Sequence, residues 1–423
     1  MSIPATTTDV GLTAPVAFTG NDGAFRHIVT RGALLELITF GFYRFWVTTD
    51  IRRHLWSHTE IDGDALEYTG RGKELLIGFL IAMAILGPLF LVYFLIGLEF
   101  ERVKAFASLP LYLVVIAFGQ FAAYRARRYR LTRTVWRGVR FWMTGSGWSY
   151  AWRSIVWGLL LGPTLGFAYP WRTAALERYK LGHTLYGDLP GRFEATGWQL
   201  FKRVWWVWLL GILPFVLVFV AGVGSEPPDA AKPPPPGSLM QVPGFLPHAA
   251  TGLIVLVAGL LFFALPFLHG IRRAREWAWW SSGIRFGDVA VTCDLRSGSL
   301  IGIYWKLIGW SVLVILVFAA TETAVAMAVL LAGAHSGGPK EMLLGLLRAQ
   351  SSWWGLAAYA VPYLLLIVTM WVLMRIYTLQ RVWRRVVDTC AVINIAAASE
   401  VAAAGDIVSG FGEGLADGLD FGL

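Results

Sequence analysis

The sequence predicts an all-α, polytopic membrane protein, and three observations carry that prediction. The first is composition. Of 423 residues, 56% are hydrophobic and 15% charged, against roughly 45–50% and about 25% in an ordinary soluble domain. A mean hydropathy of +0.58 points the same way and excludes a water-soluble enzyme. The second is that the apolar excess lies in long uncharged runs, which a globular core does not need. The third is the placement of the basic residues behind the net charge of +9, which sort by topology. Cys293 and Cys390, the two cysteines, are too few for a disulfide framework.

Taken in chain order, residues 1–17 carry neither a basic n-region nor an apolar h-region and read as a disordered tail. Gly32–Val47 is a short helix of 16 residues that holds Glu36 and Arg44. Leu75–Leu98 runs for 24 residues without a charge, about 36 Å of helix and enough to cross a ~30 Å hydrocarbon core. Phe106–Tyr124 is a second uncharged run. Ser154–Trp171, with Pro163 and Pro170, is another marginal segment. Val204–Ser225 with Ala249–Leu268, and Leu307–Ala332 with Ser351–Met374, complete six transmembrane helices in three hairpins. Runs this uniformly apolar lack the alternation of barrel strands. The two short segments suit re-entrant or interfacial helices, and eight spans is the alternative.

Charge arbitrates. With six crossings, residues 18–74, 125–203, 269–306 and 375–423 share one side and hold 31 of the 36 Lys and Arg. The positive-inside rule then places both termini in the cytoplasm. Were Ser154–Trp171 to cross alone, Arg172, Arg178, Lys180, Arg192, Lys202 and Arg203 would land outside, against the rule. The expected organisation is therefore a tail (1–17), three membrane hairpins (75–124, 204–268, 307–374) and cytoplasmic modules before, between and after them. The module at 125–203 contains the short helix 154–171, and hairpin 204–268 carries an outer Pro-rich loop at 226–247.

An internal repeat runs beneath this order. Thr39-Phe-Gly-Phe-Tyr-Arg-Phe-Trp46 matches Thr164-Leu-Gly-Phe-Ala-Tyr-Pro-Trp171 at its Thr, Gly, Phe and Trp positions. Arg53 and Arg178, then His58-Thr59 and His183-Thr184, follow each tryptophan at equal spacing, and Thr134 with Gly138 keeps the Thr59/Gly63 interval. Phe18-Thr-Gly20, the Thr-x-Gly-x-x-x-x-Trp segment, Arg52-Arg-His-Leu-Trp-Ser-His-Thr59, Leu66-Glu-Tyr-Thr-Gly70 and Gly412-Glu-Gly-Leu-Ala-Asp417 together resemble the YjgN-like family of bacterial inner-membrane proteins. The resemblance spans residue 18 to the C-terminus and implies a bacterial inner-membrane location. That family is a domain of unknown function and supplies no substrate, cofactor or site residue.

Candidate chemistry is sparse. Glu322 sits inside Leu307–Ala332, where a carboxylate costs at least ~2.5 kcal/mol. It reads either as an ion- or proton-binding group on a transport path, or as an interfacial residue where the helix breaks near Ala320. Glu36 and Arg44, two turns apart if helical, would line the same path. His54 and His58 have the i,i+4 spacing of a metal pair but no third ligand; local hydrogen bonding at a helix end is the competing reading, and no metal or other cofactor is expected. The basic run with Arg125, Arg127, Arg128, Arg130 and Arg133 begins at a helix end, where anionic lipid headgroups attract such residues. Lipid is therefore the expected partner in place of nucleic acid, and a homo-oligomer is compatible with the sequence. No nucleophile, base and metal converge, which disfavours an enzyme. A transporter or channel-like protein for a small solute or lipid ranks first, since short or broken helices in repeated segments mark transport sites. A non-catalytic scaffold that holds anionic lipid or a protein partner ranks second.

Overall fold

The structure is a computed structural model that describes residues 13–99, 101–224, 248–334, 353–406 and 408. The Pro-rich loop, residues 1–12 and the acidic tail positions Glu413, Asp417 and Asp420 lie outside the described residues. The chain is not all-α. Eleven short strands form one antiparallel sheet in the order β3-β2-β1-β11-β10-β9-β8-β7-β6-β5-β4. Its two ends, β3 (Asp64–Ala65) and β4 (Glu67–Tyr68), are separated along the chain by Leu66 alone, so the sheet curls into a nearly closed ring.

The strands come in pairs joined by tight turns: β2 (Thr59–Ile61) with β3, β5 (Thr134–Trp136) with β6 (Val139–Met143), β7 (Thr184–Tyr186) with β8 (Leu189–Phe193), and β9 (Ile284–Phe286) with β10 (Val289–Cys293). The fifth pair is made by the first and last described strands, β1 (Thr13–Phe18) against β11 (Cys390–Ile393). Thr13–Phe18 is thus a paired strand, although most of it was expected to belong to a disordered tail. The strands escape a sequence reading because each is only two to six residues long, too short for alternation to register.

Between consecutive strand pairs the chain makes a helical hairpin. The first is α1 (Asp22–Ile38) with α2 (Arg44–Ser57), followed by α3 (Gly72–Glu99) with α4 (Glu101–Thr132). Next come α5 (Gly147–Leu161) with α6 (Tyr169–Gly182), and α7 (Gly197–Gly224) with α8 (His248–Ser282). In the last, α9 (Ile301–Ala334) is followed by α10 (Trp353–Met374), a wide π-helical turn at Arg375–Arg381 and α11 (Val382–Val387). Each hairpin packs on the next, and α10 packs on α1, so the helices form a second ring above the strands. Asp22 ties its ends together: Gln380 Nε2 donates to Asp22 Oδ1 at 3.1 Å, and Arg384 Nη1 lies 2.9 Å from the same oxygen.

Every hairpin is anchored at the rim by one recurring hydrogen bond. The amides of Thr19, Thr69, Thr144, Glu194 and Asp294, each just past an outgoing strand, donate to the carbonyls of His58, Arg133, His183, Gly283 and Thr389 at 2.8–3.0 Å. The acceptors are the residues that precede the returning strands. Inside the ring of strands, Ala14, Trp136, Tyr186, Val289 and Val392 pack with Ile395 and Ala398 of a 3₁₀ turn that follows β11. Ala402 N donates to Asp188 Oδ1 at 3.1 Å across the same end. The interior of the sheet is a packed core.

Five helices among the described residues are long and apolar enough to cross a membrane: Gly72–Leu95, Gly197–Ala221, Gly252–Ser282, Ile301–Ala328 and Gly355–Val387. Six were expected. Phe106–Tyr124 lies within α4 (Glu101–Thr132) and is not among those five. Neither marginal segment is a straight helix. Gly32–Val47 and Ser154–Trp171 each contain a hairpin tip, at Thr39–Tyr43 and Gly162–Ala168, which removes the eight-span arrangement.

The shared Thr-x-Gly-Phe motif builds both tips in the same way. The Thr39 and Thr164 hydroxyls donate to the Leu35 and Leu160 carbonyls at 2.7 and 2.6 Å, and accept from the Tyr43 and Ala168 amides at 2.9 and 3.3 Å. Gly41 (φ 89°) and Gly166 (φ 75°) take the left-handed conformation that closes the loop. Phe40 is 93% exposed and Leu165 71%, so the tips present apolar side chains outward.

Trp136→Ala, which empties the core of the strand ring, is expected to cost about 3–5 kcal/mol. Phe40→Ala at an exposed tip should stay within about 0.5 kcal/mol. Chemical unfolding of the detergent-solubilised protein, followed by circular dichroism, checks both.

Candidate functional site

The densest charged cluster sits at the rim, where the returning helices α4, α6 and α8 meet the strands. Glu177 on α6 is 8% exposed. Its Oε1 accepts from Lys180 Nζ one turn on, and its Oε2 accepts from Trp280 Nε1 of α8 at 3.0 Å. Arg127 of α4 lies 3.8 Å from Oε2. Burial pushes the Glu177 carboxyl up, but Lys180 and Arg127 more than reverse that and hold it below the ordinary carboxylate range. One ionised acid thus joins three helices whose residues are 50 or more positions apart.

A groove of about 600 Å³ opens between the α5–α6 tip and the α7–α8 hairpin. Its walls are apolar, with Leu165, Phe167, Val207, Trp208, Leu265 and Leu268 among them, and its lower end is polar, with Tyr169, His269, Arg272 and Glu276. Glu276 accepts from the Tyr169 hydroxyl and from Arg272 at 3.0 Å and Arg273 at 3.3 Å. A smaller pocket of about 300 Å³ between α1 and α2 is lined by His27, Arg31, Asp50, Arg53, His54 and His58.

The residues singled out from the sequence do not converge. Glu36 on α1 and Arg44 at the start of α2 stand on opposite sides of the first tip, not two turns apart on one helix. Both are engaged with neighbouring groups, and the Arg44 guanidinium lies over the Phe45 ring at 5.9 Å. Glu322 is on α9, which runs unbroken from Ile301 to Ala334, so the helix does not break near Ala320. It is half-buried, and its enclosed Oε1 has no hydrogen-bond partner among the described residues. In the basic run, Arg127 belongs to the Glu177 cluster and Arg133 Nη2 pairs with Glu74 Oε2 at 2.7 Å, where the Tyr129 hydroxyl also donates. Arg125 and Arg128 are half-buried on the same helix end, and Arg130 is engaged with a neighbour.

The His54 and His58 rings lie 4.3 Å apart, tilted by 39°, and His58 Nδ1 lies 2.7 Å from the His54 carbonyl. Tyr179 and His183 repeat both features at 4.3 and 2.7 Å. A tyrosine in the equivalent place marks a helix-end packing device, not a metal pair. No set of three or more metal-ligating side chains is grouped among the described residues. Burial, helped by the His58 charge, pushes His54 down to about 4.

Sequence reasoning missed Glu177, the groove and one sulfur pair. Cys293 and Cys390 are registered opposite each other on β10 and β11, both as free thiols. The hydrogen bond from Cys390 holds the Cys293 thiol down near 6. A signal for Glu177 was present: it lies seven residues before Thr184, as Arg52 lies before Thr59 and Arg127 before Thr134. It is a charge reversal in repeat register.

Five helical hairpins of unequal length, mounted on a curled β-ring and including five helices apolar enough for a bilayer, define the class of this protein. The chain belongs to the family of bacterial proteins of unknown function DUF898, which matches residues 13–418. Comparison with curated proteins and with solved structures gave no match.

Glu177→Gln should destabilise the protein by about 3–5 kcal/mol, because Lys180 and Arg127 lose their buried counter-charge. Glu177→Gln combined with Lys180→Met should recover part of that loss in the same unfolding assay. The His54 shift has a defined sign. A folded value near 4 lies below the unfolded 6.5, so its stabilisation is full above pH 6.5 and fades as pH falls toward 4. His54→Phe should flatten the dependence of melting temperature on pH across that window.

Proposed function

We propose that this protein is a multi-pass protein of the bacterial inner membrane that transports a small amphiphile, with both termini in the cytoplasm. The observation that carries the reading is Glu322, an enclosed carboxylate oxygen without a hydrogen-bond partner among the described residues, inside the apolar segment Ile301–Ala328. Such a group is expensive in lipid and belongs beside a wet or polar path. Two observations support that topology. β1 and β11 pair, so the two ends of the described chain share one side. The arginine-rich helix ends all return to that side, which the positive-inside rule makes cytoplasmic. An amphiphile is favoured over a water-soluble ion because the strand ring has a filled core and the groove opens along the helices.

The second reading is a non-catalytic scaffold that binds anionic lipid or a protein partner. It draws on Trp148, Trp152 and Trp198, exposed near the rim beside basic side chains, with Lys202 Nζ 5.5 Å from the Trp198 ring, the composition of a membrane-interface belt.

The full chain in phosphatidylethanolamine/phosphatidylglycerol vesicles, with a trace of fluorescent phosphatidylglycerol quenched from outside, separates the two. Transport predicts accelerated transbilayer movement over empty vesicles, slowed roughly 10-fold by Glu322→Gln, about 1.4 kcal/mol of barrier. No acceleration, or full movement in the Glu322→Gln protein, would sink transport and leave the scaffold.

A further inference from the structure

We infer that the groove between the α5–α6 tip and the α7–α8 hairpin holds an acyl chain of one anionic phospholipid drawn from the surrounding leaflet. The inference rests on the membrane reading above and names the class of amphiphile. The groove exists because of unequal helix lengths. α5 ends at Leu161 while α7 and α8 continue, so above the Leu165–Gly166 tip no helix of that hairpin covers their apolar side. Lining residues on α7 run from Leu200 to Ile212, a rise of about 18 Å. A volume of about 600 Å³ falls within the range of small-molecule sites. The wall is hydrocarbon and aromatic, with Trp208 packed edge-on against Phe167 at 4.7 Å.

Charge selects the headgroup. At the lower end Arg272 and Arg273 both reach the single carboxylate of Glu276, 3.0 and 3.3 Å away, which leaves one positive charge in excess. Arg272 itself lines the groove, one turn beyond Leu268, where the apolar part of α8 stops. That is headgroup depth for a chain lying upward against Val207 and Leu265. An open apolar groove ending in an excess guanidinium at the membrane boundary fits a phospholipid with a net negative head.

The test uses the intact protein extracted from vesicles that contain phosphatidylglycerol, phosphatidylcholine and oleic acid in equal amounts, with retained lipid counted by native mass spectrometry. The expected result is one phosphatidylglycerol per chain, favoured over phosphatidylcholine roughly five-fold, as one basic residue near an anionic surface provides. Gly211 lines the groove, and a Cβ there meets nothing within 4 Å. Gly211→Leu should therefore fold, which its melting curve checks, and lose the retained lipid. Arg272→Gln should keep a lipid but lose the headgroup preference. Retention unchanged in Gly211→Leu, oleic acid as the retained species, or a preference indifferent to Arg272→Gln would each overturn the assignment. Should Gly211→Leu fail to melt as wild type does, Arg272→Gln and the identity of the retained lipid still decide. Loss of binding with transport intact removes the groove alone; binding with no transport removes only the transport reading.

Discussion

Strand β1 pairs with β11 on one side and with β2 on the other, and the rest of the molecule depends on that closure. Strands of two to six residues have almost no independent stability, and a free edge would leave backbone donors and acceptors open to foreign strands. Pairing the first described strand with the last leaves only the outer edges of β3 and β4, on either side of Leu66, without a neighbouring strand among the described residues. It also brings together the two ends of a helical array whose intervening segments differ widely in length. The five rim hydrogen bonds, from Thr19 to His58 through Asp294 to Thr389, transmit that closure to the helices, since each hairpin begins and ends at one of them.

This arrangement reconciles two demands that compete in a membrane protein. Apolar helices gain little by packing on one another in lipid, so the hydrophobic effect orders them poorly. The strand ring and the Glu177–Arg127–Trp280 junction at its rim do that ordering from the cytoplasmic side of the proposed topology. In that position a packed core of Trp136, Tyr186 and Val392 can be driven by water. The helices are then free to differ in length. Two hairpins stop at motif-built tips while others continue, and the difference leaves room beside α7 and α8.

The repeat and the closure also explain what individual residues do. Thr59, Thr134 and Thr184 bond the carbonyls of Leu55, Arg130 and Lys180 four residues back at 2.7–2.9 Å, ending each helix where its strand begins. The histidine before two of them caps the same turn. Residues that looked like a metal pair or a broken transport helix are in large part joinery. The groups left over are fewer and sharper: a carboxylate oxygen at Glu322 with no hydrogen-bond partner among the described residues, an excess guanidinium at Arg272, and a cross-strand thiol pair.

The sequence alone determined the apolar character, the positions of five long apolar helices and the recurrence of Thr-x-Gly-x-x-x-x-Trp and His-Thr, because these are local properties of composition, length and spacing. It also marked the Thr39 and Thr164 segments as marginal for a straight crossing. Whether they cross, turn back or lie flat was decided by tertiary structure, since a 16-residue segment with Glu36 and Arg44 satisfies several geometries equally. The strand ring was illegible for the same reason: three residues such as Thr134-Val-Trp136 have no period of their own and become a strand only when Val139–Met143 and Glu67–Tyr68 lie alongside. The Glu177 junction, the register of Cys293 on Cys390 and the groove beside Leu165 are likewise products of proximity. They join residues tens of positions apart, and only the closure of the ring decides which of those distant residues meet.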